Sequence, residues 1–309
     1  MAILLISSPQ RVTAWRAALG EAFPKDDIRD GTEFGDGADI DIVIMGPPVD
    51  GLFSKLPNLR LVISQRAGID DLIADPDLAS DVSVCRAQDP GGDRMLEDYA
   101  LLLTLFHHRN MLDFLAANQT TEWLNPGVLL AKDRRVGVMG LGVLGIWVAR
   151  RLRDAGFATA GWARTPRAEP GMDCFHGPDQ FDAFLNRTDI LINLLAVTPE
   201  TTDIINATNL AKLPEGAAII NLGRGEHMVD DDLIEAIDSG HINSATLDAF
   251  RTEPLPSDHP FWKHPRITVM PHTARRPHAE ALTAGIIENI RRFKAGEPLL
   301  LAADRARGY

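Results

Sequence analysis

Apolar residues in this chain fall into short runs separated by longer amphipathic or polar stretches. Runs at Ile3–Ile6, Ile42–Met45, Leu61–Ile63 and Val82–Cys85 predict a first group of buried strands. A second group is expected at Val136–Met139, Ala158–Trp162, Ile190–Leu194, Ala218–Asn221, Ala245–Leu247 and Ile267–Met270. Helical patterns lie between them, most clearly Asp230–Asp238, with an acidic first turn and a stop at Gly240. This alternation predicts an α/β chain with doubly wound parallel sheets. Glu97 to Asn118 reads as one long helix, apolar nearly all round, and so buried or packed between a domain and a partner subunit. A further helix is expected over Pro277–Ala295, followed by an exposed tail ending ARGY.

Residues 1–99 read as a small α/β unit separate from the rest, with a break at Asp89-Pro90-Gly91-Gly92 and a linker around Trp123 and Pro126. At 309 residues the chain exceeds the usual single core, so two domains are expected. If the final helix packs back on the first unit, that unit is discontinuous and the chain crosses between domains twice. The start, MAILLISSPQ, lacks a basic region and reads as a first strand, not as a signal sequence. Two widely spaced cysteines, Cys85 and Cys174, point to inert thiols in a reducing cytoplasm. The net charge of −12 argues against nucleic acid or an anionic membrane as partner, and leaves an anionic small substrate open.

The densest signal is RVGVMGLGVLGIWVARRLRDAGFATAGWARTP, from Arg135 to Pro166. The strand enters Gly140-Leu141-Gly142-Val143-Leu144-Gly145 and continues into a helix carrying Val148, Leu152 and a Gly156 stop. Gly140 permits the tight turn, Gly142 lets a pyrophosphate approach the backbone, and Gly145 lets the helix pack close to its strand. The next strand ends Trp162-Ala163-Arg164-Thr165, where an NAD site usually carries an acidic residue for the ribose 2′-OH. Guanidinium forms charge-assisted bonds with a 2′-phosphate, so Arg164 points to NADPH over NADH.

Three residues stand beyond later strand ends, where such a sheet binds its ligands: Arg224 in NLGRGEH, Glu253 in DAFRTEPLP and His272 in VMPHTA. Together they suit reduction of a 2-oxo acid. Hydride adds to the carbonyl carbon, and His272 donates a proton to the oxygen. Glu253 orients the imidazole and favours its charged form, while Arg224 clamps the α-carboxylate. Asp248 suits either the nicotinamide carboxamide or structural support. The loop Gln65–Leu72 can offer backbone N–H groups to an anion, or can be a plain turn with Asp70 capping a helix. His107 and His108 are adjacent, cannot share a helix face and read as structural; no metal site is expected.

With these motifs the chain resembles the D-isomer-specific 2-hydroxyacid dehydrogenases, and within them the branch called glyoxylate/hydroxypyruvate reductase A. The similarity runs from the AGID loop through GLGVLG, LINLLAVTPET, INLGRG, DAFRTEPLP and VMPHTA to the final DRARGY. It implies two Rossmann-like domains: a discontinuous substrate (catalytic) domain, 1–99 and 276–309, and a dinucleotide-binding domain, 100–275, that includes the long linker helix. It also implies a homodimer built around that helix. It carries the catalytic roles onto Arg224, Glu253 and His272, and substrate binding onto Ala67, Gly68 and Ile69 with Arg224 and His272. Cofactor contacts follow at Gly140–Gly145, Trp162, Arg164, Thr165, Leu195, Ala196, Pro199, Thr201, Leu222, Gly223 and Asp248. The activity implied is NADPH-dependent reduction of glyoxylate or hydroxypyruvate. The alternatives are a reductase of a bulkier 2-oxo acid and a dinucleotide-sensing regulator. The chain departs from the family at Arg66 (usually Gly), at Ala196 (usually Pro) and at Met45, where an aromatic is typical and a changed pocket wall is expected. Arg275 makes the stretch after His272 more basic and reads as a surface residue.

Overall fold

A computed structural model describes residues 1–87, 94–275 and 279–305. The Asp70 side chain, the Asp89–Gly92 break, Pro277 and the ARGY end lie outside the described residues. The chain forms two compact units, Met1–Gly91 with Pro277–Tyr309, and Gly92–Arg276.

The first unit begins β1 (Ala2–Ile6), α1 (Pro9–Ala22), β2 (Asp27–Asp30), β3 (Ile40–Met45), β4 (Leu61–Ser64), α2 (Asp70–Ile73) and β5 (Ser83–Arg86). Its strands form a parallel sheet in the order β2-β1-β3-β4-β5. β1, β3 and β4 are buried on both faces, which is why they read as unbroken apolar runs rather than as alternation. The expected strand positions hold within a residue or two. β2, sequence DIRD, was not expected: it is a partly exposed edge strand with no apolar run to announce it. Met45 is fully buried among Leu4, Val43 and Val62 in the core of this unit. The expectation that it forms a pocket wall is therefore corrected.

The second unit contains α3 (Arg94–His108), α4 (Met111–Thr120), β6 (Arg135–Met139), α5 (Val143–Asp154), β7 (Ala158–Ala163), β8 (Asp173–His176), α6 (Phe181–Asn186) and β9 (Ile190–Asn193). It continues through α7 (Ala207–Leu210), β10 (Ala217–Asn221), α8 (Asp230–Asp238), β11 (Ile242–Leu247) and β12 (Ile267–Val269). Seven parallel strands lie in the order β12-β11-β10-β9-β6-β7-β8, so the direction of strand progression reverses between β6 and β9. The expected single helix from Glu97 to Asn118 is two helices. The chain turns at Asn110, which adopts φ 51°, a left-handed conformation that Asn tolerates better than most residues. His107 is buried against β11, with Nδ1 and Nε2 each 2.9 Å from a hydroxyl, those of Ser244 and Thr246. It is a structural residue, as its spacing implied.

After the second unit the chain returns to the first through α9 (Ala279–Ala295), whose Leu282, Ile286 and Ile290 enter the core beside Trp15. The Trp15 indole donates to the Ala279 carbonyl at 3.1 Å. Burying one such aliphatic side chain contributes roughly 1.5–3 kcal/mol, so this face alone ties the C-terminal helix firmly in place. The segment after it runs over the surface, its described residues exposed or half-buried, and is tied down at intervals. Ala302 bridges Cys85 in antiparallel fashion, and the Arg305 guanidinium donates to the carbonyls of Leu78, Ala79 and Val82. This segment satisfies backbone groups along the open edge of β5.

Candidate active site

The Gly-rich turn sits where the strand order of the second unit reverses. Gly140 follows β6 with φ 97°, and its N–H donates to the Trp162 carbonyl at 2.9 Å. A Cβ on Gly140 would lie 2.7 Å from the Leu194 carbonyl oxygen, just past the end of β9. Only glycine fits both the torsion and the gap. A Cβ on Gly145 would lie 1.8 Å from the Gly140 carbonyl oxygen, while Val138 on the strand stands off at 3.8 Å. The close approach that Gly145 permits is therefore to the turn, more than to the strand. Gly142, which caps α5, differs: a Cβ there meets nothing within 4 Å. Open space in front of a helix N-terminus that has no acidic residue in its first turn fits a diphosphate.

Around this turn the side chains divide by exposure. Leu141 and Leu222 are buried, as is Trp162, whose Nε1 donates to the Gly177 carbonyl at 2.9 Å. Their side chains belong to the core, which leaves their backbone for any ligand contact. Val143, Arg164, Thr165 and Pro199 are exposed. Arg164 stands at the end of β7, and its charge, behind a Thr198 hydrogen bond, helps hold the Glu200 carboxyl below the usual carboxylate range. Exposed guanidinium at that strand end fits a phosphorylated ribose. Thr201 folds the following loop on itself: its hydroxyl donates to the Ala196 carbonyl and accepts from the Thr198 N–H, both at 2.8 Å.

Arg224, Glu253 and His272 follow β10, β11 and β12, three neighbouring strands. A Cβ on Gly225 would lie 2.0 Å from the Phe250 carbonyl carbon and the Arg251 nitrogen, so the Arg224 turn packs directly on the segment that carries Glu253. His272 Nδ1 lies 2.8 Å from Glu253 Oε2, and the other carboxylate oxygen accepts from the Phe250 N–H at 3.0 Å. Glu253 is thereby fixed from behind, and the imidazole is fixed in the tautomer that protonates Nδ1. With Nδ1 facing the carboxylate, Nε2 is the ring nitrogen suited to proton exchange.

His272 has φ 50°, a strained conformation for a residue with a side chain. Buried Asp248 holds it there. Its carboxylate accepts from the N–H groups of Thr273 at 2.8 Å and Ala274 at 2.9 Å, and from the Tyr99 hydroxyl of α3 at 3.0 Å. Burial pushes the Tyr99 phenol up to about 12, so it stays a donor. Of the two roles considered for Asp248, these contacts supply the supporting one.

Tyr99 and three further polar residues went unnoticed in the sequence: Asn193 and Asn221, at the ends of β9 and β10, and His227 in the turn after β10, all three fully buried. A polar residue that closes an apolar strand is the signal that would have found the two asparagines. In the first unit, Ala67, Gly68 and Ile69 lie in the loop after β4. The Ile69 side chain is buried, the Ala67 carbonyl accepts from Arg86 Nε at 2.7 Å, and Arg66 pairs with Asp71 at 2.5 Å. Arg275 is half-buried. Among the described residues no group of His, Cys, Asp and Glu could hold a metal ion, and no helix is long and apolar enough to cross a membrane.

Residues 101–274 match the family described as D-isomer specific 2-hydroxyacid dehydrogenase, NAD binding domain. The chain belongs to the D-isomer-specific 2-hydroxyacid dehydrogenase family. It is 37% identical to glyoxylate/hydroxypyruvate reductase A of Escherichia fergusonii, over 100% of both chains. A crystal structure of a family member from Xanthobacter autotrophicus Py2, in complex with NADPH and MES, superposes with a TM-score of 0.94 at 39% identity, covering 100% of this chain and 99% of the other. An NADPH-dependent glyoxylate/hydroxypyruvate reductase from Sinorhizobium meliloti, in complex with NADP and sulfate, gives 0.91 at 34% identity over 100% and 99%. The doubly wound α/β architecture expected from the apolar runs is thus the family's own.

Proposed function

We propose that the protein reduces a small 2-oxo acid of the glyoxylate or hydroxypyruvate type to the D-2-hydroxy acid, preferring NADPH to NADH. The observation that carries this is the Glu253–His272 pair, 2.8 Å apart across the ends of β11 and β12, with Arg224 beyond the end of neighbouring β10. The full-length similarity to a glyoxylate/hydroxypyruvate reductase supports the substrate class. The relatives crystallised with NADPH and NADP support the cofactor, as does Arg164.

A dinucleotide held here would supply a hydride to the carbonyl carbon. Arg224 takes the substrate carboxylate in its guanidinium fork and draws charge toward the carbonyl oxygen. Protonated His272 gives its Nε2 proton to that oxygen as negative charge develops there. Glu253 stabilises the imidazolium before transfer and holds the ring in place after it. Gly140–Gly145 and the helix N-terminus would hold the diphosphate, Arg164 and Thr165 the 2′-phosphate. The loop through Leu195, Ala196, Pro199 and Thr201, with Leu222 and Gly223, lines the nicotinamide side.

The first unit is the substrate domain in this reading. Exposed apolar side chains on α3 and α4 (Leu102, Leu105, Met111 and Leu115), together with Trp123, Val128 and Leu130, support a homodimer built there. The free thiols Cys85 and Cys174 suit a cytoplasmic protein.

The test is a panel of initial rates with glyoxylate, hydroxypyruvate and bulkier 2-oxo acids, each with NADPH and with NADH. The two small acids with NADPH are expected to give the highest kcat/KM. Faster turnover of a bulkier acid, or no turnover of any, overturns the reading.

A further inference from the structure

The backbone of Arg224 is held by side chains that none of the assigned roles uses. β9 and β10 pair so that Asn193 lies opposite Asn221, and Asn193 Nδ2 donates to Asn221 Oδ1 at 2.9 Å. The same amide nitrogen lies 2.9 Å from His227 Nδ1. The Arg224 N–H also donates to His227 Nδ1, at 3.1 Å, while the Arg224 carbonyl accepts from Asn221 Nδ2 at 3.0 Å. Both backbone groups of the proposed carboxylate clamp therefore end on this cluster. Asn193, Asn221 and His227 are each wholly buried. A buried polar group left without its partner is costly, so the arrangement tolerates little change.

The chemistry of the cluster fixes the state of the imidazole. Two N–H donors point at His227 Nδ1, so that nitrogen must present its lone pair. The ring is then neutral, with its proton on Nε2, and is the opposite tautomer to that of His272, whose Nδ1 faces a carboxylate. Space enforces the same geometry. A Cβ on Gly223 would lie 2.9 Å from His227 Nδ1 and 2.7 Å from Asn193 Nδ2, so the chain passes too close for any other residue.

We propose that His227, as a neutral imidazole protonated on Nε2, is a positioning residue that aims Arg224 at the substrate carboxylate. It touches neither substrate nor cofactor and acts only through the Arg224 backbone. The proposal rests on the assignment of Arg224 as that clamp.

His227→Leu removes the acceptor and keeps a buried apolar volume. It is expected to lower kcat/KM for the 2-oxo acid about ten- to a hundredfold, the scale set by ångström misplacement of a binding group. His227→Asn, whose side-chain oxygen can accept in the place of Nδ1, is expected to recover most of that loss. Added to Arg224→Ala, His227→Leu is expected to change kcat/KM by less than about threefold, since it has nothing left to act through. In the unaltered protein, nitrogen-15 shifts of labelled histidine read the tautomer directly and do not depend on a variant folding; an unprotonated Nδ1 at His227 supports the proposal. Losses that multiply in the double variant, failure of a folded His227→Asn to recover, or a protonated Nδ1 each overturn it while leaving the role of Arg224 intact. An Arg224→Ala protein with undiminished kcat/KM overturns the functional reading, and this proposal with it.

Discussion

In the proposed reaction the two halves of the seven-stranded sheet would meet a ligand in different ways. On the β6–β7 side, contact is made by backbone and empty space: a left-handed glycine, a helix N-terminus and a cap residue beyond which nothing stands within 4 Å. On the β10–β12 side it is made by side chains, each held by others behind it: Glu253 by the Phe250 N–H, the turn after His272 by Asp248, Arg224 by Asn221 and His227. A diphosphate can be met by oriented N–H groups alone, because it changes little during a reaction. A carbonyl that becomes an alkoxide needs groups that move a proton and follow charge, and those must be preorganised by a supporting network.

That contrast can be broken most severely at the proton donor. His272→Ala is expected to lower kcat by roughly two to four decades, with the NADPH dissociation constant nearly unchanged. Stopped-flow turnover and a fluorescence titration check the two halves of that statement; unchanged turnover removes His272 from the reaction. On the glycine side the expected effect divides between neighbouring positions. Gly145→Ala, which drives a methyl into the Gly140 carbonyl, is expected to lower folding stability by about 2–4 kcal/mol in denaturant melts. Gly142→Ala fills the open space and is expected to weaken NADPH binding with little loss of stability. Equal melting of the two variants would erase the distinction drawn between a structural glycine and a ligand-facing one.

A third test addresses the buried side chains. Burial pushes His107 down to about 4, against about 6.5 for a free histidine. The folded protein thus holds His107 neutral while the unfolded chain takes up a proton. The stability is fully present above about 6.5, falls as the pH drops toward about 4, and loses nothing further below that, for a total of about 3 kcal/mol. Melts across that range are expected to be flatter for His107→Gln; an unchanged slope assigns the pH dependence elsewhere. The smallest effect belongs to Arg164→Ala, expected to weaken NADPH about tenfold or more and NADH hardly at all, since only one of the two carries a 2′-phosphate. Equal weakening of both excludes that contact.

The same contrast explains what the sequence revealed. The glycine side was legible because a backbone requirement dictates the residue type locally: φ 97° and a 1.8 Å approach admit glycine alone, so spacing suffices. Arg224, Glu253 and His272 were legible as residues beyond strand ends, but their support was not. Tyr99 reaches Asp248 across 149 positions, and Asn193 reaches His227 across 34. No periodicity records such pairings. The elements missed have two causes. β2 and β8 are polar edge strands with burial patterns that never reach a full apolar run, and the turn at Asn110 interrupts a pattern whose apolar content continues through it.

The first unit closes only when both ends of the chain are present. α9 covers Trp15, and Ala302 and Arg305 finish the edge and flank of β5. On the ribosome, therefore, β1 to β5 emerge long before their last partners, while every residue of the second unit has already been made. The second unit can fold during synthesis, and the first must wait for α9 and the segment through Arg305. Loss of even a few residues before 306 would be felt at the N-terminal strands, which were made first and finished last.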